Sequence, residues 1–194
     1  MVCGLQNVAG NEQMNVRIIA GKYGGRTIDA PGRSSTHAMG ERIRNALFNS
    51  IGEEVLDTRV LDAFAGSGAV GLEALSRGAR EVTFVEKDRI ASKIIHANCA
   101  LVGASDQCEV IKTTVSNWLE TAQPELYDII IADPPYHDEQ FSTVKRLFSL
   151  LKPNGLMVLS HTGIREVPVQ NEIVVVDNRS YGNAHLTYFR RRGV

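Results

Sequence analysis

The sequence predicts an α/β fold with a Rossmann-like architecture, in which a seven-stranded, mostly parallel sheet carries helices on both faces. Two observations predict this fold. From Val60 onward, short β-branched runs alternate with segments of helical periodicity, a pattern typical of parallel strands joined by crossover helices. The first of these strands runs into a glycine-rich turn that opens a helix, as at the ligand-binding edge of many such sheets.

Hydrophobic periodicity and turn residues give the order of the elements. Strands are predicted at residues 60–66, 81–86, 108–113, 127–136, 156–161, 172–179 and 186–192, and helices at 68–77, 89–102, 115–121 and 140–151. In the second of these helices, one face carries Ile90, Ile94, Ala97 and Leu101. We expect the last strand to run antiparallel to the others.

The chain divides into three parts. Residues 1–13 show no periodicity, so we expect a poorly ordered lead, with Met14 as an alternative start of the folded chain. Residues 14–52 form a basic extension and residues 53–194 the main domain.

The basic extension contains a predicted hairpin and a predicted helix. Residues 16–21 and 24–31 have the pattern of two short strands, and the turn between them lies at 22–24. Helical spacing at 41–51 predicts an amphipathic helix. The polar face of this helix carries Arg42, Arg44 and Asn45.

Composition excludes several classes of protein. Of the 194 residues, 43% are hydrophobic and 22% charged, which are ordinary values for one globular domain. The chain has no run of about 18 apolar residues, which a membrane-spanning helix needs, and we expect no secretory leader. Three cysteines without C-x-x-C spacing and five scattered histidines predict neither a disulfide framework nor a metal site. We expect a cytoplasmic protein.

Charge is unevenly distributed, although the net charge is only −1. Residues 14–45 hold six basic side chains against two acidic ones, and residues 179–194 hold four basic side chains and no acidic one. An acidic body with two basic ends fits the footprint of a polyanion. The same charge distribution fits equally well with basic side chains that are simply solvated on surface faces and chain ends.

The loops after the strands carry the candidate chemistry, because ligands of such sheets bind beyond the carboxyl ends of the strands. Gly66, Gly68 and Gly71 fit G-x-G-x-x-G, a spacing that lets a nucleotide-like ligand approach the backbone. Glu86 ends the next strand, 24 residues after Asp62, where a carboxylate can accept both hydroxyl hydrogens of a ribose. These loops fit either a nicotinamide dinucleotide or S-adenosylmethionine.

Asp62 favours the second of these cofactors. It lies within the strand, four residues before Gly66, where an acid would repel the pyrophosphate of a dinucleotide. S-adenosylmethionine instead carries an ammonium group and a cationic sulfur, and an acid-rich pocket favours both.

Asp133, Pro134, Pro135 and Tyr136 follow the apolar run at 129–132. Consecutive prolines fix the backbone and remove amide donors, which leaves the Asp133 carboxylate and the Pro134 carbonyl as acceptors. Such acceptors can take both hydrogens of an exocyclic amine, draw its lone pair out of conjugation and aim it at an electrophilic methyl group. Tyr136 can stack on the base that carries the amine.

On these residues the chain resembles the class I S-adenosylmethionine-dependent methyltransferases that act on amino nitrogens of bases through a (D/N/S)-P-P-(Y/F/W) motif. The resemblance covers residues 14–192. The segments MNVRIIAGKYGGR, ERIRNALFN and DAFAGSGAVGLEALSRGA and the pair Tyr181-Gly182 are together similar to the bacterial 16S rRNA guanine-N2 methyltransferase family, which modifies guanine 966.

The resemblance implies methyl transfer from S-adenosylmethionine to the N2 amine of that guanine. We expect the protein to be a monomer. The substrate would be 16S rRNA, the small ribosomal subunit or an assembly intermediate. Asp62, Gly66 and Gly68 would hold the methionine part of the cofactor and Glu86 its ribose. The resemblance implies further contacts with the cofactor by Phe64, Ala65, Gly71, Lys87 and Thr114. It implies that catalysis uses Asp133, Pro134, Pro135 and Tyr136. It also implies that RNA is contacted by Arg17, Lys22, Arg26, Arg42 and Arg44.

Two segments depart from the pattern of that family. Residues 34–42 read SSTHAMGER, where the family often has R-P-T-x-D-R-V-R-E. Thr113 and Thr114 stand where many relatives place an acid near the adenine amine, and a hydroxyl accepts a hydrogen bond more weakly than a carboxylate does. We therefore expect backbone groups and the packing around Asn98 to contribute more to adenine recognition.

Three other interpretations stay open on the sequence. Methylation of an adenine N6 amine in DNA or RNA would use the same D-P-P-Y turn. An NAD-dependent oxidoreductase would use the glycine loop and Glu86 but leaves that turn unexplained. A non-catalytic RNA-binding assembly factor would use only the basic ends.

Overall fold

The computed structural model describes residues 14–32, 39–121, 126–138, 140–163 and 167–193. The elements are β1 (Met14–Arg17), β2 (Thr27–Ala30), α1 (Glu41–Ile51), β3 (Arg59–Ala63), α2 (Ala69–Ser76), β4 (Glu81–Glu86), α3 (Arg89–Val102), β5 (Cys108–Lys112), α4 (Val115–Thr121), β6 (Tyr127–Ala132), α5 (Phe141–Leu147), β7 (Leu151–His161), β8 (Ile173–Tyr181) and β9 (Ala184–Arg191). Strands β3 to β9 form one seven-stranded sheet, and β1 and β2 form a separate hairpin. The predicted fold class is confirmed.

The large sheet is mostly parallel. Its strand order is β5-β4-β3-β6-β7-β9-β8, and β9 runs antiparallel to both of its neighbours, as predicted for the last strand. From β3 the chain builds outward through β4 and β5, then returns to the other side of β3 with β6. The carboxyl ends of β3 and β6 therefore border the crevice at which sheets of this kind bind ligands.

Both faces of the sheet are covered. Successive residues of a strand point to opposite faces, so Ile129 and Ile131 of β6 join one core cluster, while Ile130 and Ala132 join the other. The hairpin, α1, α2 and α3 contribute to the first cluster, and α4 and α5 to the second. Burial on both faces explains why β6 is a continuous apolar run rather than an alternating one.

The hairpin forms, but its strands are shorter than predicted. Strands β1 and β2 have four residues each, whereas the sequence predicted a strand through residue 21. The amides of Ile19 and Ala20 donate instead to the Glu73 carboxylate in α2, at 2.7 and 3.2 Å. Because α2 takes these amides, they are not free to continue the ladder between β1 and β2.

Helix α3 has the predicted bounds, but its regular apolar stripe faces solvent. Ile90 is 61% exposed and Leu101 is 60% exposed, although both lie on the face that the periodicity marked as apolar. The buried face instead carries Ala91, Ile95, Asn98, Cys99 and Val102. Because α3 packs against both β5 and β2, the face next to the predicted stripe is the one that is covered.

Helix α5 ends, and strand β7 begins, earlier in the chain than the sequence predicts. The sequence predicts that the run at 152–155 (KPNG) ends a helix and precedes a strand. In the structure α5 ends at Leu147 and β7 already begins at Leu151, which pairs with Tyr127 of β6. The register between β6 and β7 then shifts, so the run is accommodated as an irregularity within β7.

Some expectations concern residues outside the described ranges. The lead at 1–13 and most of the divergent segment at 34–42 fall there, so these expectations stay predictions, as does the division of the chain at residue 53. Within the stretches that the structure does describe, no helix is long and apolar enough to cross a bilayer.

Candidate active site

The glycine loop connects β3 to α2 through three residues with left-handed backbone conformations. Phe64, Gly66 and Gly68 have φ angles of 69°, 56° and 77°, a region that residues with a Cβ rarely adopt. Phe64 is the one non-glycine residue among the three, and such residues concentrate at functional turns. The loop, which also contains Ala65, therefore offers backbone groups at the carboxyl end of β3.

Gly71 serves packing, which argues against its predicted contact with the cofactor. It lies inside α2, and a Cβ at this position would overlap the ring of Phe84 in β4. The third glycine of the spacing thus lets α2 lie close to the sheet, as it does in related loops.

Asp62 is buried at the end of β3 and holds the start of α2. Its Oδ2 accepts the amide of Gly71 at 2.8 Å. Burial raises the pKa of Asp62 well above its ordinary value, the Gly71 amide opposes this, and the charges of Asp133 and Glu86 raise the pKa further. Three carboxyl groups therefore share one electrostatic environment, which a cationic ligand would relieve.

Glu86 ends β4 and ties two loops together. Its Oε2 accepts the amide of Gly66 at 2.8 Å, and its Oε1 accepts the amide of Asp88 at 2.7 Å. Asp88 in turn caps α3 through the amides of Ile90 and Ala91. Each oxygen of a carboxylate has a second lone pair, so Glu86 can still accept hydrogens from a ribose.

Lys87 and Thr114 lie at the rim of this region. The side chain of Lys87 is exposed. The hydroxyl of Thr114 accepts the amide of Asn117 at 3.1 Å, which makes Thr114 a cap for the first turn of α4. A contact between Thr114 and adenine would have to use the hydrogen or the second lone pair of that hydroxyl.

The D-P-P-Y turn lies directly beside the glycine loop. The amide of Asp133 lies 3.5 Å from the carbonyl oxygen of Ala63, the last residue of β3. Pro134 is buried, whereas Tyr136 is 40% exposed. Burial raises the pKa of Asp133 to about 6, and a hydrogen bond from Ser160 opposes this rise. The structure thus brings the predicted catalytic residues and the glycine loop to one crevice.

For the methyl transfer that the resemblance implies, we expect the rate to fall as the pH drops through about 6, because Asp133 is then protonated and loses acceptor capacity. Single-turnover rates between pH 5 and 8.5, with cofactor affinity measured at each pH, test this. A rate that stays constant from pH 7 to 5 with the cofactor bound would contradict the prediction that Asp133 acts as the acceptor.

Sequence reasoning placed Arg44 on a polar face, and the structure corrects this. Arg44 is only 1% exposed, and its guanidinium donates to the carbonyl oxygens of Met39 and Arg17 at 3.0 and 2.6 Å. Its Nε lies 3.9 Å from Oε2 of buried Glu73. Burial lowers the pKa of Arg44, and Glu73 opposes this shift. Arg44 therefore holds α1, β1 and α2 together and is not available to RNA.

Asn98 joins the hairpin to the glycine loop. Its Nδ2 donates to the carbonyl oxygens of Asp29 and Ser67 at 2.8 and 3.1 Å, and its Oδ1 accepts the amide of Asp29 at 3.0 Å. These bonds give Asn98 a structural role, and its predicted contribution to adenine packing stays a prediction. The sequence shows only an amide side chain within a helix, whereas its burial and partners are seen in the structure.

The other predicted RNA contacts are exposed along one flank. Lys22 and Arg26 lie over the buried ring of Tyr23, at 5.1 and 5.5 Å from its centroid. Arg42 is exposed in the first turn of α1, and Arg17 is exposed but forms an ion pair with Glu41. The hairpin and α1 thus present a basic flank, defined here as Arg17, Lys22, Arg26 and Arg42.

The C-terminal basic run does not extend this flank around the crevice. Because β9 is antiparallel to β7, its last residues lie at the edge where the parallel strands begin. Arg190 pairs there with Glu54 at 2.8 Å, and Arg191 donates to the carbonyl oxygen of Leu151 at 2.6 Å. Arg179 of β8 also donates to the Ser50 hydroxyl of α1, so the C-terminal basic run meets the end of α1 rather than the crevice.

His161, at the end of β7, has a structural environment. Its Nε2 lies 2.9 Å from the Thr187 hydroxyl, and its Nδ1 accepts the amide of Gly163 at 3.0 Å. Over the part of the chain that the structure describes, no group of three or more His, Cys, Asp or Glu side chains is placed to hold a metal ion.

Comparison with known proteins agrees with this site. A family model described as Conserved hypothetical protein 95 matches residues 16–190. Ribosomal RNA small subunit methyltransferase D of Haemophilus influenzae is 36% identical over 155 residues, which cover 76% of this chain and 79% of that protein. Its counterpart in Escherichia coli K12 is 32% identical over 161 residues, which cover 83% of this chain and 79% of that protein.

A solved structure agrees as well. A hypothetical protein of Thermus thermophilus shares 34% identity and a TM-score of 0.76, over 92% of this chain and 99% of that one. The matched regions include the glycine loop and the D-P-P-Y turn. This chain therefore belongs to the ribosomal RNA small subunit methyltransferase D family.

Proposed function

We propose that this protein transfers a methyl group from S-adenosylmethionine to the exocyclic N2 amine of guanine 966 in 16S rRNA. Its family makes it an S-adenosylmethionine-dependent rRNA methyltransferase. The observation that carries the proposal to an amino nitrogen is the Asp133 turn beside the glycine loop. We place the reaction on the small ribosomal subunit or an assembly intermediate, with a monomer as the active form.

The residues at the crevice fit S-adenosylmethionine, which supplies the electrophilic methyl group when it is bound. Asp62, Glu86 and Asp133 share one electrostatic environment, and neighbouring carboxyl groups favour an ammonium and a sulfonium ligand. In this proposal Asp62, Gly66 and Gly68 hold the methionine part and Glu86 accepts from the ribose. The remaining contacts are assigned to Phe64, Ala65, Lys87 and Thr114.

Asp133 and Pro134 act on the target amine. Their oxygen atoms accept its two hydrogens, which directs the nitrogen lone pair toward the methyl group. Because the amine of a neutral base is a weak nucleophile, the rate enhancement comes mainly from orientation and from polarisation by Asp133. Tyr136, with its exposed ring, stacks on the base. Base pairing hides this amine, so the target guanine must be unstacked or lie in a loop.

The basic flank contacts rRNA phosphates in this proposal. Replacing Lys22, Arg26 or Arg42 singly with Glu should weaken RNA binding and make the salt dependence of log K shallower by about one unit per contact. Filter binding at several salt concentrations measures both quantities. The matched control is Arg192→Glu, since Arg192 is exposed directly after β9, on the side of the sheet away from β4 and β5. If this control weakens binding as much as the flank variants do, the flank is not the RNA surface.

The test of the whole proposal is methyl transfer from labelled S-adenosylmethionine. The substrates are small-subunit particles and naked 16S rRNA from cells that lack this gene, and mass spectrometry identifies the product nucleoside. N2-methylguanosine at position 966 is the expected result. N6-methyladenosine would keep the mechanism and replace the substrate. Absence of transfer to either RNA, with cofactor bound, would refute the proposal and direct attention to DNA substrates and then to a non-catalytic RNA-binding role.

A further inference from the structure

Ser160 lies next to the D-P-P-Y turn, on the strand that borders it. Ala132 of β6 pairs with Leu159 of β7, so the residues that follow this pair, Asp133 and Ser160, are neighbours at the carboxyl ends of the two strands. Ser160 is only 1% exposed, and the preceding Val158 and Leu159 are fully buried apolar residues. A hydroxyl at this position loses its contact with water, so it must be compensated by hydrogen bonds.

Two polar groups of the turn provide that compensation. Because Ser160 and Asp133 follow the paired residues Leu159 and Ala132, the Ser160 hydroxyl is placed to donate to the Asp133 carboxylate, an interaction that lowers the pKa of Asp133. The same hydroxyl lies 3.5 Å from the hydroxyl of Tyr136. An ionised carboxylate can only accept hydrogen bonds, so in a bond between the two side chains the Ser160 hydroxyl donates its hydrogen to Asp133. Its lone pairs are then free to accept from Tyr136. Ser160 therefore links the other two side chains, with its hydrogen directed to Asp133 and its oxygen beside the Tyr136 hydroxyl.

We propose that Ser160 is a positioning residue, whose hydroxyl fixes the Asp133 carboxyl group and the Tyr136 ring relative to each other. This inference rests on the proposed function, in which Asp133 accepts from the amine and Tyr136 stacks on the base. The bond from Ser160 occupies one acceptor site of the carboxylate, which limits rotation and leaves the other sites for the substrate. The same hydroxyl restrains the end of the tyrosine ring that is farthest from the backbone.

The pH dependence of the reaction can distinguish a positioning role of Ser160 from a packing role, because the titratable groups around Asp133 are the same with and without the Ser160 hydroxyl. Asp62 of β3 and Glu86 of β4 lie in the same electrostatic environment, Tyr136 belongs to the turn itself, and His161 of β7 contacts Thr187 of β9. A serine-to-alanine change leaves all four in place. It removes the interaction that lowers the pKa of Asp133 together with the contact to the Tyr136 hydroxyl. Loss of the first should move the pH midpoint of the reaction upward.

The test is Ser160→Ala, assayed in the full chain with 16S rRNA particles. We expect kcat to fall by about tenfold or more, as for loss of one hydrogen bond to a charged group, while the Kd of S-adenosylmethionine stays within about twofold. The pH midpoint should rise, and Ser160→Thr, which restores a hydroxyl, should recover both quantities. Thr83→Val is the matched control, because Thr83 is a buried hydroxyl of β4 bonded to Glu109 at 3.2 Å.

Wild-type values of kcat and pH midpoint in folded Ser160→Ala would overturn the inference. A loss of kcat without any shift of the midpoint would also overturn it, because that result indicates a structural role only. If Ser160→Ala does not fold, Ser160→Cys keeps the volume with a weaker donor and should change both quantities in the same direction. If wild-type protein itself methylates no RNA, the proposed function has failed instead, which distinguishes the two failures.

Discussion

Replacing Asp133 with Ala should lower the rate of methyl transfer by roughly 10²–10⁴-fold, the range found when a group that stabilises the transition state is removed. In the proposed mechanism, the Asp133 carboxyl group is the side chain of the D-P-P-Y turn that accepts a hydrogen of the amine. Its loss leaves the Pro134 carbonyl to act alone. Cofactor affinity should stay nearly unchanged, since Asp62 and the glycine loop are intact. Single-turnover rates and calorimetric titration measure the two quantities.

Two variants serve as controls for Asp133→Ala. Asp128→Ala removes an acid from the other end of β6, where Asp128 pairs with Lys152 at 2.9 Å, and it should leave the chemical step unchanged. Glu86→Ala should behave in the opposite way and weaken cofactor binding by about tenfold or more, because it loses charged hydrogen bonds. If Asp133→Ala loses cofactor binding as severely as Glu86→Ala does, Asp133 belongs to the cofactor site and its assignment to the amine is wrong.

Replacing Glu73 with Ala should lower the free energy of unfolding by about 3–5 kcal/mol, as expected when one partner of a buried ion pair is removed. Glu73 is fully buried and its carboxylate accepts the amides of Ile19 and Ala20 and the Nε of Arg77 at 2.7 Å. Without it, Arg44 loses its buried carboxylate partner and two amides lose their acceptor. Urea unfolding followed by circular dichroism measures the loss.

The matched control for Glu73→Ala is Glu81→Ala. Glu81 pairs with Arg80 at 3.2 Å at a partly exposed position, where an ion pair contributes about 0–1 kcal/mol. A double-mutant cycle with Arg44→Leu separates the ion pair from the amide contacts. If Glu73→Ala costs no more than Glu81→Ala, the N-terminal hairpin is not held by this carboxylate.

The part of the site that follows from strand order could be predicted from the sequence. The glycine loop and the D-P-P-Y turn each follow a buried strand, and parallel strands bring their carboxyl ends to one edge. Asp62, Glu86 and Asp133 were therefore expected at one crevice before their contacts were known. The local sequence pattern was sufficient to predict this part of the site, because the place of a strand in the sheet fixes the position of the residue that follows it.

Burial of charged side chains could not be predicted in the same way. Arg44 lies on an amphipathic helix where a basic residue is usually solvated, and its burial depends on Glu73 and on the backbone of Arg17, which are distant in sequence. The exposed stripe of α3 failed as a guide to the core for a similar reason. Periodicity shows that a helix has an apolar face, but the hairpin and the sheet decide which face is covered.

The bonds of Asn98 also bear on how the protein can be redesigned. One side-chain amide connects the hairpin backbone at Asp29 with the glycine-loop backbone at Ser67. The N-terminal segment is therefore not a detachable module that could be exchanged for another recognition element while the catalytic domain stays the same. A graft that moves the hairpin strand relative to α3 by more than the tolerance of a hydrogen bond, a few tenths of an ångström, will also disturb the loop. Engineering of substrate choice should begin at the exposed loop positions around Lys22, where side chains can change without altering the Asp29 backbone.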